Sequence, residues 1–145
     1  MRGAQVGDDR LPRRARKRVK EPFKEMLIDE VEILRENLND AMKWISLTKS
    51  GVILMKYLLD DFYQACLYFI GKAYARASGL TPDDSVSLEE LDRVLRQSGA
   101  EQIIHRLLGE GFIVYRGNDR YVINYLRLKE VLEAIEEYAR YSKII

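Results

Sequence analysis

A chain of 145 residues, 47% hydrophobic and 32% charged, has room for about one domain and is too apolar for wholesale disorder. One cysteine (Cys66) excludes an intramolecular disulfide, and one histidine (His105) beside it cannot complete a Cys/His zinc set. The formal charge of +1 is unevenly spread: +6 over residues 1–20, −7 over 21–92, +4 over 93–129 and −2 over the remainder.

Two basic regions on an otherwise acidic chain point to a polyanionic partner. Fifteen Arg against nine Lys give a thermophile-like composition. Lys56, Asp60 and Asp61 interrupt the most apolar run, so no membrane span is expected, and Met1-Arg2-Gly3 opens no apolar leader. The expectation is a soluble cytoplasmic protein.

Residues 1–20 read as a flexible basic arm carrying Arg13, Arg14, Arg16, Lys17 and Arg18. Pro22 suits a first helical turn, and Leu27, Val31, Leu34, Leu38, Ala41 and Ile45 follow at alternating spacings of four and three. This seam predicts one long helix over about 22–47, within a segment 21–50 suited to dimerisation. Residues 52–77 are apolar nearly all round and predict a central helix buried on every side, with Cys66 as a small core residue. Gly79, Pro82 and Asp83-Asp84 make the next loop. The pairs Asp60-Asp61 and Asp83-Asp84 are expected to be solvated.

Ser87-Leu88-Glu89-Glu90 is a capping box opening a short helix, which Ser98-Gly99 ends. A second helix starts near Ala100 and closes at Gly109 or Gly111. Phe112–Tyr115 and Tyr121–Tyr125 flank Gly117-Asn118-Asp119 as a β-hairpin, and residues 127–142 have the spacing of a last amphipathic helix.

This order, with the junction Leu107-Leu108-Gly109-Glu110-Gly111-Phe112-Ile113, resembles the winged helix-turn-helix superfamily over residues 52–125. Asp119-Arg120 is similar to the wing-tip pair of MarR-like regulators, which separate the two residues. The expected fold is mainly α with a small β-hairpin: a winged helix-turn-helix flanked by a long N-terminal helix and a C-terminal helix, its domain covering 51–145. The resemblance implies that the helix near 100–109 enters a DNA major groove and that the hairpin touches a neighbouring backbone or minor groove. Helical spacing turns Ile103, Ile104, Leu107 and Leu108 inward and leaves Glu101, Gln102, His105 and Arg106 outward. Gln can read adenine and Arg guanine. Arg116 and Arg120 flank the wing turn as phosphate ligands, with Asn118 between them.

No P-loop, Gly-x-Gly-x-x-Gly turn or Gly-x-Ser-x-Gly elbow occurs, so no enzyme, cofactor or metal is expected. The expected function is binding of double-stranded DNA by a homodimer held through residues 22–75, in transcription regulation or as a nucleoid-associated chromatin factor. The rival is a winged-helix protein-interaction module in a transcription or replication assembly, because one fold serves both uses.

Overall fold

A computed structural model describes residues 26–97 and 99–145. The expected arm, with Arg13, Arg14, Arg16, Lys17 and Arg18, lies outside them, as do Pro22 and the start of the expected long helix.

The single helix over 22–47 is not found. Helix α1 (Glu30–Glu36) begins where the Asp29 side chain accepts the Glu32 N–H at 3.1 Å. It breaks at Asn37, whose side-chain amide donates to the Ile33 carbonyl at 2.9 Å. Side-chain competition for a backbone acceptor is the usual reason Asn interrupts a helix. A short α2 (Leu38–Met42) follows, and the chain then turns into strand β1 (Ile45–Leu47). Strand β2 (Ile53–Met55) pairs with it antiparallel, Ile45 opposite Met55 and Leu47 opposite Ile53. The turn between them places Gly51 at φ +89°. The seam is thereby divided: Leu34, Ala41 and Ile45 enter the chain's own core, while Leu27, Val31 and Leu38 stay exposed.

The central helix is also shorter than expected. Helix α3 spans Asp61–Ala77, with Val52–Met55 given up to the hairpin. It is buried on all sides as expected; Ala65, Leu67, Phe69, Ile70 and Ala75 have no exposure at all, and Cys66 is buried with them. Gly71 admits the hairpin, since a β-carbon there would come within 2.7 Å of the Ile53 side chain.

From there the expected order holds. Strand β3 (Val86–Ser87) leads into α4 (Leu88–Val94), where the Ser87 hydroxyl accepts the Glu90 N–H at 3.1 Å. After the turn, α5 (Ala100–Glu110) ends at Gly111, which takes φ +76°. Strands β4 (Ile113–Gly117) and β5 (Arg120–Ile123) form the hairpin. Asn118 and Asp119 both adopt positive φ at its tip, the conformation a two-residue turn needs to match strand twist. The three strands lie in the order β3-β5-β4, Val86 facing Tyr121. A 3₁₀ turn (Tyr125–Arg127) enters α6 (Leu128–Tyr141), which buries Leu128, Val131, Leu132, Ile135 and Ala139. Tyr138 of α6 stacks on Tyr63 of α3 at 4.0 Å and accepts the Asp60 N–H at 3.1 Å. The described residues are thus a helix-rich chain with two small antiparallel sheets around one core.

Candidate nucleic-acid interface

Helix α5 is held on one side only. Ile103, Ile104 and Leu107 are buried, whereas Gln102 and His105 are exposed with Glu101. Leu108, expected inward, is 38% exposed and joins the outer face. The turn before α5 is fixed by two aspartates. Asp61 accepts the Arg96 and Gln97 N–H groups at 3.2 and 2.8 Å, and Asp92 accepts that of Ala100 at 3.0 Å. Asp61 is therefore buried, contrary to the expectation of a solvated pair.

Arg106 is exposed, but its guanidinium lies over the Phe62 ring, 4.2 Å from the centroid. Such a contact is worth about 0.5–1 kcal/mol at an exposed site and biases the side chain towards α3. Glu101, Gln102 and His105 are thus the freer polar groups of this face.

The hairpin arginines do not stand free. Arg116 Nη2 approaches Oδ1 of Asp84 to 3.3 Å as an ion pair without hydrogen-bond geometry, and donates to Oδ2 at 3.5 Å. Asp84 has no exposure, which corrects the reading of Asp83-Asp84 as a solvated pair. Tyr125 donates to Asp84 at 2.6 Å, and Arg76 of α3 lies 3.6 Å away while also meeting Glu30 at 3.5 Å. Arg120 donates to the Ser85 hydroxyl and carbonyl at 2.5 and 3.1 Å, and lies 3.7 Å from Asp83 and 3.8 Å from Glu90. The Ser85 hydroxyl and N–H both donate to Asp83 and, with Arg120, hold its carboxyl below the usual range. Glu90 also accepts from Tyr68 and pairs with Lys72 at 3.0 Å.

The hairpin is therefore oriented by an arginine–carboxylate lattice, with the Arg116 and Arg120 side chains still 46% and 37% exposed. Asn118 is exposed at the tip as a turn former. Beside it Tyr115 is 57% exposed, its ring 5.3 Å from that of Tyr121 and its hydroxyl accepting the Asp119 N–H at 3.3 Å. Arg93 and Arg96, on α4 and the turn, add exposed positive charge with no ion pair among the described residues. Neither was a candidate from sequence; their place in the basic stretch 93–129 was the available signal. Among the described residues no three His, Cys, Asp or Glu side chains converge on a metal-sized site, and no helix is long and apolar enough to cross a membrane.

No family model, curated protein or solved structure matches the chain.

Proposed function

We propose that the chain is a winged helix-turn-helix protein that binds duplex DNA as a homodimer, in transcription regulation or chromatin association. The observation that carries the reading is the uncovered outer face of α5, with Gln102 and His105 exposed, on a helix that runs through Gly111 directly into the hairpin. The order α3, β3, α4, α5, β4, β5 and the sheet order β3-β5-β4 support it. In this reading α5 lies in the major groove, Gln102 reads a base edge, and Arg93, Arg96, Arg116 and Arg120 meet phosphates. Arg13, Arg14, Arg16, Lys17 and Arg18 add affinity without sequence preference.

The test is a gel-shift titration with random-sequence duplex at two salt concentrations. Binding should weaken as salt rises, with a log–log slope of about −0.9 per phosphate contact. Replacing Gln102 and His105 with Ala should lower affinity for a selected site more than for random duplex. Absence of duplex binding at both salt concentrations would overturn the reading.

One observation favours the rival, a protein-docking winged helix. Arg116 and Arg120 are already paired with Asp84, Asp83 and Glu90, and the hairpin shows solvent the apolar Val114 and Tyr115. Duplex binding unaffected by Arg116→Ala/Arg120→Ala, in a protein that still folds, would favour that use of the hairpin.

A further inference from the structure

Four charged groups from separate parts of the chain form one connected line. Glu30 stands in the first turn of α1, Arg76 in the last turn of α3, Asp84 in the loop before β3 and Arg116 on β4. A single nitrogen of Arg76, Nη1, is shared between two carboxylates, 3.5 Å from Glu30 Oε1 and 3.6 Å from Asp84 Oδ2. Arg116 Nη2 lies on the other side of Asp84, 3.3 Å from Oδ1, which is buried and has no hydrogen-bond partner among the described residues. The two carboxylates that share Arg76 are unequal: the Asp84 side chain is 1% exposed and that of Glu30 is 42% exposed. Water can take the place of Arg76 at Glu30 but not at Asp84. If Asp84 loses a counter-ion, the exposed Glu30–Arg76 pair is therefore the one that yields.

We propose that Arg76 is a two-position counter-ion that couples the hairpin to α1: when a DNA phosphate draws Arg116 from Asp84, Arg76 closes on Asp84 and releases Glu30. Arg116 is open to such a partner, and Glu30 is left to water at little cost. The Tyr74 hydroxyl still donates to the Leu34 carbonyl at 2.6 Å, so the second turn of α1 stays on α3. Release is confined to the first turn, where Val31 is exposed. By linkage, anything that detaches Glu30 changes the affinity of Arg116 for phosphate by the same factor. The phosphate rests on the duplex reading above; the coupling of Arg116 to Glu30 through Asp84 and Arg76 does not.

The experiment is hydrogen–deuterium exchange of the full chain, read by mass spectrometry at one protein concentration. Arg116→Ala should speed exchange in α1 about twofold to fivefold, the scale of one surface ion pair, and leave α6 unchanged. In a Glu30→Gln background the same substitution should add nothing in α1, because the contact to be lost is already gone. Unchanged α1 exchange, a rise shared equally by α6, or an additive double variant would overturn the coupling. Glu30→Gln alone supplies a second measurement that leaves Asp84 with both its arginines. It gives Arg76 wholly to Asp84, loosens Arg116, and should raise affinity for random-sequence duplex about twofold to fivefold. Glu36→Gln makes the same charge change at an exposed position of the same helix and should raise it less. Equal gains from the two substitutions would overturn the proposal. Failure of the unmodified protein to bind duplex would overturn the DNA reading and the phosphate trigger with it, while the exchange rates still decide the coupling.

Discussion

At the scale of single residues, Asp84 is the group on which most depends. Its carboxylate is buried, so Tyr125, Arg116 and Arg76 replace the water it has lost. Asp84→Ala leaves a buried hydroxyl without its acceptor and two guanidiniums without their counter-ion, and should cost about 2–4 kcal/mol in urea unfolding. Arg116→Ala should cost more than an exposed arginine normally does, since it removes a counter-ion from a carboxylate that cannot reach solvent; loss near zero would mean Arg76 suffices. The same environment sets a pH dependence. Burial, and for Tyr125 and Tyr68 a hydrogen bond to Asp84 or Glu90, raises the hydroxyl pKa of Tyr68, Tyr74 and Tyr125. Their folded values exceed the unfolded value of 10.0, so their contribution is fully present below pH 10 and is lost as pH rises above it. An alkaline titration should show these three phenolates forming together with unfolding; their ionisation without loss of structure would contradict this. None of these partnerships was legible in the sequence. Asp84 stands 32 residues from Arg116 and 41 from Tyr125, and no local period connects them.

At the scale of elements, what could be read was what local chemistry determines. The Ser87 cap and the Asn118-Asp119 turn act within a few residues and appear where the sequence put them, and of the two glycines that could stop the second helix the structure uses Gly111. The long helix failed because its apolar spacing was real but its interior was not helical. Asn37 draws its amide onto the preceding turn, and Ile45–Leu47 finds a strand partner across Gly51. A 3-4 spacing of apolar residues records which positions are inward, and a helix–break–strand path can satisfy it as well as one helix. Two glycines test these junctions. Gly111→Ala forces a side chain into positive φ and against the Arg127 guanidinium, and should destabilise by about 1–2 kcal/mol. Gly71→Ala places a methyl against Ile53, so the β1–β2 hairpin must move off α3, at about 1–3 kcal/mol. Gly71→Ala combined with Ile53→Val should recover part of that loss in thermal unfolding, because the two sites share one space. Strict additivity would mean that the hairpin does not rest on Gly71.

At the scale of the whole molecule, the basic stretch 93–129 was legible as charge, but its use was not. The structure directs Arg116, Arg120 and Arg106 towards groups on other elements, and a count of charges contains no directions. The apolar surplus of the N-terminal half is the complementary case. Ten of the sixteen exposed large apolar side chains among the described residues lie within 26–58, including Met26, Leu27, Ile28, Val31, Leu38 and Met42. This concentration remains after the seam has sent Leu34, Ala41 and Ile45 inward, and it supports the proposed homodimer through the same region. Light scattering at micromolar concentration should return twice the 16.9 kDa chain mass. Val31→Glu/Leu38→Glu should shift that mass towards one chain. Substitutions at exposed positions usually move a monomer's stability by no more than about 0.5 kcal/mol, so a variant that dissociates yet unfolds cooperatively would separate loss of assembly from loss of fold. Duplex affinity should fall with dissociation, because a dimer places two α5 helices on one site and a monomer places one. A single-chain mass for the unmodified protein would remove the dimer from the proposal and leave the apolar surface to a different partner.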